Sequence, residues 1–362
     1  MCPCEKKVSD HSRELQSEDV GLIPVVSILV PAYNSERWIA AALRSAVTQT
    51  WKHKEIIIVD DGSTDQTLAI ARQFESDSVH VVTQENQGAA AARNKAFSLS
   101  RGDYIQWLDA DDLLAPDKIE KQMEALGECG NKRTLLSSGW GRFMYRYDQA
   151  KFVPTALWCD LTPVEWLMRK MGQNLHMQTA TWLVSRELTE AAGPWNTKLL
   201  GDDDGEYFCR ILLASEGVRF VPEAKVYYRA APNSLSYIGQ SDRKREAQWH
   251  SMQLHIGYIR SLEDSDRVRD ACVKYLQNWM VFFYPERLDI FRQAEEVARE
   301  LGGQLVAPRL SWKYSWIKAI FGWRAARRAQ LSLPSLRWSL VRLWDKALYR
   351  IEGRRHAATL GV

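Results

Sequence analysis

EIIIVDDGSTD, residues 55–65, passes from unbroken apolar chain to acid to turn without a linker. Ile56 to Val59 show no polar alternation, the pattern of a parallel strand covered on both faces. Asp60 and Asp61 close that run with two carboxylates. Gly62 to Asp65 read as a strand-to-helix turn, in which Ser63 or Thr64 supplies a cap and the helix dipole favours Asp65 in the first turn. The unit repeats on both sides. Upstream, VVSILV (25–30) is a second apolar run ended by Pro31, and a helix follows it with Ser35 as N-cap and Trp38, Ile39, Ala42, Leu43, Ala46 and Val47 at helical spacing. Downstream come a helix through Leu68, Ile70, Ala71 and Phe74, a strand VHVVTQ (79–84), an alanine-rich helix from Gly88 to Leu99, and DYIQWLDADD (103–112), read as a fourth strand running into acid. This βαβαβαβ alternation predicts parallel strands with helices on both faces and ligands at the carboxyl ends of the strands. Pro31-Ala32-Tyr33-Asn34, Asp60-Asp61 and Asp109 to Asp112 all fall there.

Beyond Pro116 the pattern becomes mixed. Residues 135–147 and 177–185 read as strands, Pro163 to Met171 and Asp204 to Ala214 as helices, and VRFVP and KVYYR as two short late strands. From Gly239 the chain reads as helical. The expected organisation is a loose arm over 1–23, an α/β unit over 24–238 with halves 24–115 and 116–238, a helical region over 239–300, and a tail over 301–362. With 46% hydrophobic and 26% charged residues the 362-residue chain is an ordinary globular composition, long enough for two or three folding units. Its six cysteines show no CxxC pair and no zinc or disulfide framework. The first 21 residues lack the apolar core of a secretory signal, and no apolar run reaches about 18 residues. The expected location is therefore the cytoplasm, with a peripheral place on the cytoplasmic membrane face added by the tail described below.

Three acidic clusters carry the chemistry. Asp60 and Asp61 end a buried strand, where an unpaired charge is costly and implies a ligand or partner; a carboxylate there can accept hydrogen bonds from a nucleobase. In Asp109-Ala110-Asp111-Asp112, strand alternation would aim Asp109 and Asp111 at one point. Mg²⁺ and Mn²⁺ take such carboxylates together with substrate phosphates, whereas the structural alternative is an acid-rich loop capping the helix after Pro116. Asp202-Asp203-Asp204 precedes a helix with Phe208, Ile211 and Leu212 on its apolar face. Asp202 or Asp203 is expected to cap that helix, and crowding raises the pKa of one of the acids toward that of a general base. Between the clusters, NQGAAAARN (86–94) pairs small packing residues with Arg93, for which two readings stand: contact with a phosphate, or pairing with an acidic cluster.

In order, VSILVPAYN, SAVTQTWKHKEIIIVDDGSTD, NQGAAAARN, GDYIQWLDADDLLAPDKI and, more loosely, GPWNTKLLGDDDGEYFCRI resemble the family 2 glycosyltransferases, inverting enzymes of the GT-A fold, over roughly Val25 to Arg229. The resemblance implies a GT-A, Rossmann-like nucleotide-sugar-binding domain over 24–238 with a mixed central sheet, followed by a C-terminal helical region. It implies that Pro31, Ala32 and Tyr33 line the nucleobase pocket, that Asp61 accepts from the base, and that Asp109, with Ala110 beside it, meets the ribose side. Asp111, together with Asp109, would hold Mn²⁺ or Mg²⁺ against the diphosphate, with Arg93 near the same groups. The family's Glu-Asp pair maps onto Asp203-Asp204, because Arg210 then falls at a helix arginine, and Asp204 becomes the general base. The implied reaction is an inverting, metal-dependent transfer of a hexose-type sugar from a nucleoside diphosphate, UDP foremost, to a glycan or lipid-linked hydroxyl in envelope or polysaccharide synthesis. YYRAAPNSLS (227–236) stands where processive members carry Gln-x-x-Arg-Trp, so a single addition is expected.

Residues 301–362 hold 12 Lys and Arg against Asp345 and Glu352, in a chain whose total net charge is only +3. Trp312, Trp316, Ile320 and Trp323 form one stripe and Leu336, Leu340, Leu343, Ala347 and Ile351 a second, with Arg324, Arg327, Arg328, Arg337, Arg342 and Arg350 among them. Amphipathic helices at a membrane surface are expected, with packing on the catalytic domain as the alternative. No nucleic-acid module accompanies the charge. A nicotinamide oxidoreductase is excluded because Pro31-Ala32-Tyr33-Asn34 replaces a GxGxxG. The remaining alternatives are a non-catalytic nucleotide-sugar binding module and a sugar nucleotidyltransferase, although the latter's glycine-rich phosphate loop is missing after the first strand.

Overall fold

The computed structural model describes residues 23–129, 131–230, 241–308 and 311–359. The arm expected over 1–23 lies outside these except for Ile23, which is exposed. In chain order the elements are β1 (Val26–Ala32), α1 (Ile39–Val47), β2 (Lys54–Asp60), α2 (Thr67–Arg72), β3 (Val79–Thr83), α3 (Ala89–Leu99) and β4 (Tyr104–Trp107). Then follow β5 (Leu113–Leu114), α4 (Lys118–Cys129), β6 (Thr134–Phe143), β7 (Lys151–Phe152), α5 (Pro163–Gln173), β8 (Val184–Ser185), α6 (Arg186–Ala192), α7 (Asp203–Ala214) and β9 (Gly217–Arg229). The chain continues through α8 (Asp242–Leu262), α9 (Asp266–Phe283), α10 (Leu288–Glu300) and α11 (Ser315–Thr359), the last broken at Gly322.

Strands β3-β2-β1-β4-β8 form one sheet, parallel except for β8. The apolar runs build it because both faces are covered: Ile57 and Val59 point into one core with Leu29 and Trp107, while Ile56 and Ile58 point into the other with Ile28 and Val30. A second sheet, β5-β9-β6-β7, stands beside it and has β6 and β9 parallel. The architecture is α/β with a mixed sheet. Helices α8, α9 and α10 extend the first core through Met252, Ile256, Leu276, Met280 and Ala294.

Four local expectations are corrected. The fourth strand stops at Trp107, and Asp109 to Asp112 lie in a turn closed by the Asp112 amide donating to the Asp109 carbonyl at 3.1 Å. Aspartate is a poor strand former, and the last ladder bond on this side joins Leu108 to Leu29. Residues 177–185 are a 3₁₀ turn, Thr179–Thr181, followed by the two-residue β8. VRFVP and KVYYR are one strand, β9, whose register on β6 jumps from Val221 to Lys225 and so passes over Pro222, which has no N–H for a ladder. Ser35 does not cap α1 with its hydroxyl; its carbonyl accepts from Trp38 and Ile39, and its buried Oγ has no partner. By contrast α5 carries a full capping box between Thr162 and Glu165, with Pro163 opening its first turn.

The tail divides its residues between two environments. Trp323 packs edge-on against Tyr284 at 5.5 Å, Ala326 and Arg327 are buried, and Asp345 accepts from the Tyr145 amide and Arg146 Nε at 3.0 and 2.8 Å. Trp312, Trp316, Ile320, Leu343 and Trp344 are all at least 60% exposed. The side chains of Leu336 and Leu340 lie outside the described residues. Among the described residues no helix is long and apolar enough to cross a membrane.

Candidate functional site

The carboxyl ends of β1, β2 and β4 meet the amino ends of α3 and α7, and the acidic clusters gather there. Pro31 and Ala32 are buried at the end of β1, while Tyr33 is exposed. Asn34 takes a left-handed conformation (φ 45°) and accepts from the Thr64 amide at 2.8 Å, lacing the loops after β1 and β2 together. Asp61, 2% exposed, accepts from Gln84 Nε2 at 2.7 Å, the Gln87 amide at 2.9 Å and the Gly88 amide at 2.8 Å. Its negative charge thus faces the amino end of α3, where the helix dipole favours it. Asp60 accepts from the Ser63 amide and Thr83 Oγ1, both at 3.2 Å, and leaves Oδ1 buried without a partner among the described residues.

Arg93 on α3 is the node of the site. Its Nη2 donates to Asp109 Oδ1 at 2.8 Å and its Nη1 to Asp203 Oδ2 at 2.9 Å, and its guanidinium lies 4.3 Å from the Trp195 ring centre. Of its two readings from sequence, pairing with acids is the one this conformation adopts, and it joins two clusters at once. Asn94, the next residue, clasps the Trp195 backbone in both directions at 2.7 and 2.9 Å, which fixes the aromatic floor under Arg93. Burial alone would lower the Arg93 pKa; Asp109 and Asp203 more than reverse this and keep the side chain charged.

Burial, reinforced by the charge of Asp109, pushes Asp111 up to about 6. Asp109 and Asp111 thus share one turn, not one face of a strand. Among the described residues no group of three or more His, Cys, Asp or Glu side chains is arranged to hold a metal. Asp109 and Asp111 supply carboxylate oxygens from one turn, the donor type suited to a hard divalent cation that takes its other ligands from phosphate and water. Asp112 is a strut: fully buried, it accepts from the Arg229 amide at 2.8 Å and from Gln178 Nε2. Burial, then Asp111 and Asp109, holds its pKa well above the ordinary carboxylate range.

At the start of α7 the three acids separate. Asp202 faces α8, accepting from Ser251 and Gln248. Asp203 is pushed up to about 6 by burial, against the opposing pull of Arg93. Among the described residues, Asp204 has one long side-chain contact, from Thr179 Oγ1 at 3.5 Å. Arg210 does not enter the site; it binds Glu206 at 2.8 and 2.9 Å and the carbonyls of Ala192 and Pro194.

Sequence reading passed over Arg229. It lies between the rings of Trp38 and Phe143, 4.1 and 4.4 Å from their centres, and its Nε donates to the Asp111 carbonyl at 2.7 Å. It thereby fixes the turn that carries Asp111. The only signal for it in sequence was a cation at the end of an aromatic strand, KVYYR.

The sequence profile of glycosyl transferase family 2 matches residues 27–138. An uncharacterized glycosyltransferase of Haemophilus influenzae is 32% identical over 231 residues, 63% of this chain and 86% of that protein. The putative teichuronic acid biosynthesis glycosyltransferase TuaG of Bacillus subtilis is 45% identical over 108 residues, 29% of this chain and 43% of its own length. Several other curated relatives are matched over only 19 to 36% of their length. Among solved structures, residues 1–349 of S. aureus TarS in complex with UDP-GlcNAc superpose with a TM-score of 0.62 at 18% identity, covering 85% of this chain and 91% of that one. The mannosyltransferase PcManGT of Pyrobaculum calidifontis, in complex with GDP-Man and Mn²⁺, gives 0.52 at 18% identity over 92% and 87% of the two chains. The fold is shared with these GT-A glycosyltransferases.

Proposed function

The chain belongs to glycosyl transferase family 2, and from that premise we propose that it moves one sugar from a nucleoside diphosphate, UDP foremost, to a hydroxyl of a glycan or lipid-linked acceptor. The reaction proceeds with inversion at the anomeric carbon and serves cell-envelope or other polysaccharide synthesis. The observation that carries this reading is Arg93, which ties Asp109, beside Asp111, to Asp203, beside Asp204. One cation thus holds the leaving-group end and the attacking end of a displacement in fixed relation.

Pro31, Ala32 and Tyr33 line the base pocket, Asp61 accepts from the base, and Asp109, Ala110 and Arg93 border the ribose and diphosphate. Asp111 and Asp109 would hold Mn²⁺ or Mg²⁺, which would supply positive charge to the departing diphosphate. Asp204 takes the proton of the acceptor hydroxyl as that oxygen bonds to the anomeric carbon, and the bond from that carbon to the phosphate oxygen breaks with its electron pair on the nucleoside diphosphate. Asp204 suits the base role better than Asp203, because Asp203 is locked to Arg93 while Asp204 keeps its oxygens nearly free. The relatives support the setting: TuaG is named for teichuronic acid synthesis, and TarS and PcManGT were solved with UDP-GlcNAc and with GDP-Man and Mn²⁺. The basic tail supports a peripheral location at the cytoplasmic membrane face, where a lipid-linked acceptor would be presented.

A thermal-shift panel of nucleotide sugars with and without Mn²⁺ selects the donor. With that donor, Asp204→Asn is expected to bind normally and to lose about 10²-fold to 10⁴-fold in turnover. Parental turnover in that variant refutes the base role. A parent protein that binds but never turns over is a binding module, and consumption of added pyrophosphate with release of nucleoside triphosphate and sugar 1-phosphate marks a nucleotidyltransferase.

A further inference from the structure

We infer that Asp202 is a positioning residue for the two carboxylates that follow it, and that α8 holds it in place from behind. The inference rests on the reading of Asp203 and Asp204 as the acids of the reaction, and it assigns the helical region after β9 a part in that reaction.

Asp202 sits at the amino cap of α7 with φ 55° and ψ 24°, a left-handed conformation that penalises any residue with a Cβ. Its side chain gives the helix no capping hydrogen bond, so ordinary capping does not explain the residue. The carboxylate instead turns back over the first turn of α7. A Cβ on Gly205 would lie 2.0 Å from Asp202 Oδ1, so glycine at that position is what leaves the carboxylate room. Two groups on α8 then grip Oδ2: Ser251 Oγ at 2.7 Å and Gln248 Nε2 at 3.2 Å.

Behind Ser251 the network continues inward. Ser251 Oγ lies 3.4 Å from His255 Nε2, and His255 Nδ1 lies 2.9 Å from Tyr275 Oη on α9. Ser251, His255 and Tyr275 are all at most 2% exposed. With Ser251 donating to Asp202, the tautomer of His255 protonated at Nε2 would complete the chain, Nδ1 accepting from Tyr275. One turn further along α7, Tyr258 on α8 donates to Glu206 at 2.8 Å. The first turn of α7 is thus held by α8 at two points, and the backbone that carries Asp203 to Arg93 and Asp204 to Thr179 is set between them.

The test uses the full chain and the donor selected in the panel, with hydrolysis read as released nucleoside diphosphate and Mn²⁺ present. Ser251→Ala and Asp202→Gly, the latter keeping the left-handed backbone accessible while removing the carboxylate, are expected to lower kcat about 10-fold to 100-fold, with donor KM and UDP affinity unchanged. Ser251→Thr, which restores the hydroxyl, recovers kcat. The double variant falls no further than Asp202→Gly, because the two groups act as one unit. Parental kcat in Ser251→Ala, or equal losses in kcat and in UDP affinity, overturns the inference. If Asp202→Gly does not fold, Ser251→Ala with its threonine rescue decides alone. Failure of the underlying reading is distinct: Asp204→Asn then retains turnover whatever Ser251→Ala does.

Discussion

Replacing Arg93 by methionine tests whether the site is held by charge or by packing. Arg93→Met keeps an unbranched side chain over Trp195 but removes the cation from between Asp109 and Asp203. Breaking a buried pair by removing one partner costs about 3 to 5 kcal/mol. The Arg93 side chain is only 7% exposed, but Asp109 and Asp203 keep 29% and 22% exposure, so the lower end of that range applies. Against a total stability of about 5 to 15 kcal/mol this is readily measured. The pH dependence separates the causes. Asp203 already has a folded pKa raised to about 6 by burial, with Arg93 pulling it down. Without Arg93 it rises further, and an ionised carboxylate whose folded pKa is raised destabilises the fold above that value and ceases to do so once protonated. The deficit of Arg93→Met relative to the parent is therefore largest at pH 8 and shrinks at pH 5, where Asp203 takes up a proton. Urea unfolding of both proteins at the two pH values measures it. A deficit of equal size at both, or none at pH 8, refutes the electrostatic account and leaves only lost packing.

Asp111→Asn removes a carboxylate whose folded pKa is raised to about 6, so its melting temperature at pH 8 should match or exceed that of the parent while the response of turnover to Mn²⁺ disappears; a lower melting temperature with Mn²⁺ response retained contradicts the assignment. In the parent, the Mn²⁺ concentration for half-maximal turnover should climb roughly tenfold per pH unit below about 6, as one proton competes with the cation. For the tail, the parent is expected to float with anionic phosphatidylglycerol vesicles at low salt and to be released as salt is raised, and replacing exposed Leu343 and Trp344 by aspartate should abolish flotation. A parent that stays in the unbound fraction at low salt sinks the membrane reading.

The fold was legible because its determinants are local. Runs such as Ile56 to Val59 require cover on both faces wherever they occur, and their alternation with helical spacing leaves a doubly covered parallel sheet as the economical solution. The acids at the strand ends were legible for the same reason, since charge beside a buried strand is costly whatever lies around it. Element boundaries were less so. Nothing within VRFVPEAKVYYR announces that one strand passes over Pro222 as a bulge, because that depends on the register of β6 across the sheet.

What the residues of each cluster do was decided in three dimensions. Asp202, Asp203 and Asp204 are chemically identical and adjacent, yet one is held by α8, one is locked to Arg93 and one remains nearly free. Arg229 and Asp112 meet across a separation of 117 residues, and Trp38 adds a third distant segment to that contact. Local spacing determined the parallel strands, the helices between them and the resemblance to the family, because backbone geometry and burial act over a few residues. Partnership among like charges was settled only by packing, because an electrostatic environment is the sum over everything the fold brings near.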